Sequence, residues 1–128
     1  MGTSVTQEQG RVPVTVLHVS GNLDAATADA FRQRAEGLIK AGSQNLLIDL
    51  SEVPYVSSAG LRALNQLFSL LHGESRENAS QEIRAGTFKS PHLKLLNPSP
   101  RVLDVLKMSG FDMFLEIHPN LRDAVASF

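Results

Sequence analysis

An α/β fold, with a small mixed and largely parallel β-sheet flanked by about four α-helices, is predicted by three features of the sequence. Short β-branched or apolar runs alternate with segments whose apolar residues recur at helical spacing. One run, Leu46 to Leu50, is almost continuously apolar, which suits a central strand covered on both faces. Turn and cap residues (Ser20-Gly21-Asn22, Gly42, Pro54, Pro98-Ser99-Pro100, Gly110) fall between these runs and not inside them.

The elements follow in order. Val12 to Val19 reads as a strand ending at the Ser20-Gly21-Asn22 turn, and Ser4 to Gln7 can pair beside it as a hairpin. From Asp24 the period changes. Phe31, Ala35, Leu38 and Ile39 mark a first helix, with Asp24 or Thr27 as its cap and Gly42 as its stop. After the Leu46–Leu50 strand, Leu61, Leu64, Phe68 and Leu71 mark a second helix that begins at or beside Ser57-Ser58.

Residues 73–90, GESRENASQEIRAGTFKS, hold no sustained apolar period and read as a long exposed loop or insertion. His92 to Leu96 returns to strand character. Ser99 as N-cap and Pro100 at the first helical position then open a third helix, with Val102, Leu103 and Leu106 on its buried face and Gly110 at its end. Phe114 to Ile117 is the last strand, and Asn120 to Ala126 the last helix. At 128 residues, one domain spanning 1–128 is the expectation.

Composition narrows the function. Twelve Lys+Arg against thirteen Asp+Glu leave a net charge of −1, so no global field draws in a phosphate backbone or an anionic bilayer, and nucleic acid is not an expected ligand. The absence of cysteine excludes disulfides, thiolate chemistry and cysteine-bound metals, which fits a reducing compartment, the cytoplasm. No apolar signal core opens the chain and no run is long enough to span a bilayer, so no membrane insertion is expected. Met1-Gly2 with Thr6 matches the short myristoylation pattern, but a start codon before a small residue explains it equally.

Chemistry concentrates in Leu46 to Phe68, where a buried strand runs through a short loop and delivers two hydroxyls to a helix start. Unpaired amides and the positive end of the helix dipole at that point can hold a phosphate carried by a serine. Ser57 or Ser58 can equally be a plain N-cap. A nucleophile elbow is half matched by Ser58-Ala59-Gly60, but Val56 stands where the first glycine belongs. His18, His72, His92 and His118 lie in separate elements without metal-ligand spacing and read as surface or strand-end residues. Asp49 and Glu52 read as solvated loop acids.

Several fragments together resemble the sulfate transporter and anti-sigma factor antagonist (STAS) domain family, above all its stand-alone anti-sigma factor antagonists. They are Val19-Ser20-Gly21-Asn22-Leu23-Asp24, Leu47-Ile48-Asp49-Leu50-Ser51, Tyr55-Val56-Ser57-Ser58-Ala59-Gly60-Leu61, Leu95-Leu96-Asn97-Pro98-Ser99 and Val102 to Phe111, in family order and spacing along nearly the whole chain. The resemblance implies a STAS-like sheet with a phosphoacceptor at the N-terminus of the second helix, two residues before a Gly-Leu pair. Counting back from Gly60-Leu61 gives Ser58, with Ser57 the lesser candidate. Ser57 stands where the family often has aspartate, and Ala59 where it often has a second hydroxyl.

Asp24 matches the acid of the family's Gly-x-Leu-Asp turn and is expected near the site. The implied contact surface comprises Asn22, Asp24, Ser57, Ser58, Ala59, Gly60, Leu61 and Arg62. By the same resemblance the protein is a bacterial, non-enzymatic partner switch. Unphosphorylated, it binds an anti-sigma factor that is also a serine protein kinase; phosphorylated on Ser58, it releases that partner, and a PP2C-like serine phosphatase resets it. ATP and magnesium belong to the kinase, so no cofactor and no metal is expected on this chain. The alternative within the family is a non-switch STAS interaction module, such as a stressosome-like scaffold or a lipid-transporter subunit.

Overall fold

Sequence order is also spatial order in the sheet, which runs β1 (Gly2–Gln9), β2 (Pro13–Ser20), β3 (Leu46–Glu52), β4 (Leu93–Leu96), β5 (Glu116–His118). The computed structural model describes residues 1–72 and 90–128; the expected loop lies outside the described residues except for Ser90. Ser90 is fully buried, its hydroxyl accepting from the amides of His92 and Leu93. β1 and β2 pair antiparallel as a hairpin, in register from Gly2–Ser20 to Gln9–Pro13. β2, β3, β4 and β5 pair parallel. Parallel neighbours need crossovers. The described helices α1 (Ala28–Lys40), α2 (Ser58–His72) and α3 (Pro100–Met108) lie in those connections, and α4 (Leu121–Ser127) follows β5.

Alternation along the strands divides the core in two. Leu17 and Val19 of β2, Leu46, Ile48 and Leu50 of β3, and Leu93 and Leu95 of β4 face one side. There they pack with Phe31 and Ala35 of α1, Leu64, Leu67 and Phe68 of α2, and Val102 and Leu106 of α3. Val14, Val16, Leu47 and Leu96 face the other side and are covered by Ala124 and Val125 of α4. Burying the central strands on both faces is what the continuous apolar run in β3 requires.

A buried cation fixes α4 to that second face. Lys94, only 2% exposed, sits beside Leu96 on β4. Its Nζ lies 2.9 Å from Glu116 Oε2, donates to the Ser127 carbonyl at 2.8 Å and to Ser127 Oγ at 3.0 Å, and stands 4.8 Å from the Phe128 ring centroid. Every ammonium proton has an oxygen within reach, which offsets the desolvation of the charge. Burial pushes the Glu116 carboxyl up, but the hydrogen bonds and charges of Lys94 and His118 outweigh it and hold the group below the usual carboxylate range.

The ends of α1, α3 and α4 follow the sequence with one exception. Ser99 accepts from the Val102 amide at 3.3 Å ahead of Pro100, and Asn120 accepts from the Asp123 amide at 2.9 Å to open α4. Gly42, at φ 112°, closes α1 in a Schellman pair, the Gly42 and Ser43 amides donating to the Ile39 and Leu38 carbonyls. The exception is the start of α1, which has no side-chain cap bond. Asp24 instead closes a turn of its own, its Oδ1 accepting from the Ala26 amide at 3.0 Å, while Thr27 Oγ1 donates to the Asn22 carbonyl at 2.8 Å.

The first and last strands depart most from their expected limits, the other three by one or two residues at an end. β1 extends well beyond Ser4–Gln7, because pairing to β2 along its whole length holds a polar segment that shows no alternation of its own. The last strand is Glu116–His118 and not Phe114–Ile117. Gly110, at φ 78°, leads into a 3-10 turn over Phe111–Met113, and the amides of Phe114 and Leu115 close back on the Phe111 carbonyl. The aromatic rings of Phe111 and Phe114 then pack 5.1 Å apart, with Phe114 edge-on to Phe68 at 5.0 Å.

Candidate functional site at the start of the second helix

The turn after β2 and the loop after β3 are joined through their backbones. The Leu23 amide donates to the Tyr55 carbonyl at 2.9 Å and the Ser57 amide to the Leu23 carbonyl at 2.9 Å, so Leu23 and Val56 form an isolated parallel bridge. This brings the Asn22–Asp24 turn beside the first turn of α2. Gly60 is required for the approach. A Cβ at that position would lie 2.7 Å from the Leu23 carbonyl oxygen and 2.9 Å from Val56 Cγ1.

Ser57 is the N-cap by backbone geometry, its carbonyl accepting from the Leu61 amide at 3.0 Å. Its hydroxyl does not act as a cap. Ser57 Oγ is buried and has no hydrogen-bond partner among the described residues. Ser58, the first residue of α2, is exposed. The amides of Ser58, Ala59 and Gly60 have no partner one turn back, as at any helix start, and no acidic residue lies in the first turn to occupy them. What results, among the described residues, is an exposed hydroxyl on a helix end whose first-turn amides have no carbonyl one turn back and whose first turn carries no acid.

The flanks are mixed in charge. Arg62 is exposed and lies four residues after Ser58, on the same face of the helix. With Ala59 and Ala63 it borders a groove between α1 and α2 whose other wall carries Asp29 and Arg32. Arg32 is engaged along its own helix, at 2.9 Å from Glu36 and 3.7 Å from Asp29. On the opposite flank Arg101 stacks over the Tyr55 ring at 5.4 Å, joining the start of α3 to the loop before Ser57. Leu61 is half-buried, and Asn22 is exposed.

Residues 4–77, more than half of the chain, match the STAS domain family profile. The chain belongs to the STAS domain family. Among solved structures, an anti-sigma factor antagonist from Mycobacterium paratuberculosis is similar to this STAS domain at 26% identity, covering 98% of this chain and 92% of the other with a TM-score of 0.76. The anti-sigma factor antagonist SpoIIAA in its unphosphorylated form aligns at 15% identity, 95% and 92% coverage and a TM-score of 0.60. The Bacillus cell fate determinant SpoIIAA in the phosphorylated form aligns at 17% identity, 95% and 96% coverage and a TM-score of 0.59. The two SpoIIAA structures show a shared fold. No curated protein sequence matches the chain.

His18 and Asp49 differ from expectation, while His92 and His118 stand at strand ends as expected. Asp49 lies inside β3, not in a loop, and its Oδ2 is 2.6 Å from His18 Nδ1 in β2, while its Oδ1 accepts from the Ser51 amide at 3.0 Å and hydroxyl at 2.7 Å. His18 is therefore a strand-interior residue with a partner. His118 pairs with Glu116 at 3.1 Å, and His92 Nδ1 is 3.2 Å from Asn45 Oδ1. None of these bonds reaches Ser57 or Ser58, and Val56 fills the elbow position with a buried side chain. Among the described residues no group of three or more His, Asp or Glu is placed to hold a metal ion, and no helix is long and apolar enough to cross a membrane.

Sequence reasoning placed Thr27 at the start of α1 but missed its bond to the Asn22 carbonyl, which ties the Asn22–Asp24 turn, and it missed the Tyr55–Arg101 stack. Tyr55 carried a signal, since it is the chain's single tyrosine and stands two residues before the serine pair. Arg101 carried none.

Proposed function

We propose that this STAS domain is an anti-sigma factor antagonist controlled by phosphorylation of Ser58. The observation that carries the reading is the exposed Ser58 hydroxyl at a helix start with unpaired amides and no first-turn acid. Similarity to anti-sigma factor antagonists, including SpoIIAA in unphosphorylated and phosphorylated forms, supports it.

In this reading the whole chain acts as one domain in a bacterial cytoplasm. The unphosphorylated protein presents Asn22, Asp24, Ser58, Ala59, Leu61 and Arg62 to an anti-sigma factor that is also a serine kinase, while Gly60 and the Ser57 hydroxyl, expected in the same surface, are buried and support it from beneath. The kinase transfers the γ-phosphoryl group of its ATP to Ser58, and the complex parts. A phosphate adds about −1.5 to −2 charges at the centre of the contact, where desolvation and repulsion from partner carboxylates oppose binding. The first-turn amides, the helix dipole and Arg62 one turn along accommodate the group on the free protein. A PP2C-like phosphatase returns the serine to its starting state. The protein itself catalyses no step.

Intact-mass spectrometry after incubation with ATP and the serine kinase encoded nearest to the protein tests this. One added phosphate on wild type that is missing from Ser58→Ala is the expected result. No phosphate from a kinase shown to bind the protein would favour the non-switch interaction module.

A further inference from the structure

On the sheet face away from α1 and α2, side chains from three strands form a chain of hydrogen bonds. Thr6 of β1 places Oγ1 2.9 Å from His18 Nε2, and His18 Nδ1 lies 2.6 Å from Asp49 Oδ2. The far oxygen of Asp49 is held by the Ser51 amide and hydroxyl at 3.0 and 2.7 Å. Asp49 is the most covered of the three, its side chain 14% exposed against 31% for His18, and Thr6 is open to solvent.

The bonding fixes the proton positions. Burial raises the Asp49 carboxyl, but the Ser51 donors and then His18 outweigh that and hold it below the usual carboxylate range. It is a carboxylate, which only accepts, so His18 Nδ1 carries the ring proton and donates it. In the neutral ring Nε2 then has a free lone pair, and the neighbour aimed at it is the Thr6 hydroxyl. Carboxylate, imidazole and hydroxyl stand in the connectivity that turns a weak alcohol into a nucleophile.

We infer that Thr6 is a second modification site, a hydroxyl activated by His18 that takes an acyl group from an activated ester or thioester. Thr6 Oγ1 bonds to the acyl carbon as the bond from that carbon to its leaving group breaks. The Thr6 proton passes to His18 Nε2, while the Nδ1 proton stays on the ring and hydrogen-bonded to Asp49. The imidazolium then gives its extra proton to the departing alkoxide, phenolate or thiolate. Thr3 and Ser4 lie on the same exposed strand, and no hydrogen bond joins either hydroxyl to a histidine among the described residues. They are built-in controls.

The test is incubation of the full chain with p-nitrophenyl acetate, followed by intact-mass measurement and fragmentation of the N-terminal peptide. One acetyl group on Thr6, and not on Thr3 or Ser4, is expected. Thr6→Val should remove it and Thr6→Ser should keep it. His18→Gln should slow labelling at least about a hundredfold, the lower end for loss of a positioned base, and Asp49→Asn should slow it as well. Acetyl spread evenly over Thr3, Ser4 and Thr6, or a rate unchanged in His18→Gln, overturns the inference. The comparison within wild type needs no variant to fold, and neither substitution at exposed Thr6 touches the core.

Discussion

Gly60 packs its bare Cα against Leu23, so closely that a Cβ would come within 2.7 Å of the Leu23 carbonyl oxygen. The same carbonyl accepts the Ser57 amide, so Leu23 both holds the start of α2 and limits what can stand one turn into it. The proposed acceptor serine therefore sits on a helix end placed by backbone contacts, with no hydrogen bond to its own side chain among the described residues.

Gly60→Ala should then destabilise the fold by about 1–3 kcal/mol, as overpacking against backbone does. Gly37 is the contrast. It lies within α1, and a Cβ added there would meet nothing within 4 Å, so Gly37→Ala should stabilise by about 0.5–1 kcal/mol. Urea unfolding of the two variants beside wild type checks both signs.

Lys94 should carry much of the attachment of α4. Lys94→Ala removes the cation from a buried pair and should cost about 3–5 kcal/mol. Lys94→Met keeps much of the volume and should lose less. Hydrogen exchange gives the local readout, with amides of Leu121–Ser127 losing protection first in Lys94→Ala.

Acid should weaken the protein through Asp49 and Glu116, whose folded carboxyls both lie below their ordinary values. A depressed pKa contributes stability that is present above the unfolded values, about 3.9 for Asp and about 4.3 for Glu, and is lost as pH falls through the lower folded values. The Asp49→Asn, Glu116→Gln double variant should start less stable at neutral pH and show a flatter fall in thermal midpoint below about pH 4. An unchanged slope would show that these two carboxyls do not govern acid unfolding.

The sheet, its helices and the serine pair were legible in the sequence because each rests on local signals. Apolar period marks α1 and α2, Ser99-Pro100 opens α3, and the Leu46–Leu50 run marks the strand at the centre of the sheet. The resemblance to STAS domains added the expectation that Ser58 is the acceptor. The rest depends on residues far apart in sequence. His18 and Asp49 meet only because β2 and β3 pair in parallel register, and Thr6 joins them across a third strand. A lysine in the run Leu93–Leu96 reads as out of place until Glu116 and Ser127 arrive from the last two elements. Asp24 looked like a helix cap because its residue type and place fit one, whereas the structure uses it for the turn before.

Calorimetric titration of the partner kinase with this protein, before and after stoichiometric phosphorylation, tests the central claim most directly. Ser58→Ala and Ser58→Asp complete the set, since Asp suits a helix start as well as Ser does and differs by its charge. Tight binding by the unphosphorylated protein and by Ser58→Ala is predicted, with affinity weakened at least about a hundredfold, or about 2.7 kcal/mol, in the phosphorylated protein and reduced in Ser58→Asp. Equal affinity before and after phosphorylation on Ser58 would contradict the account.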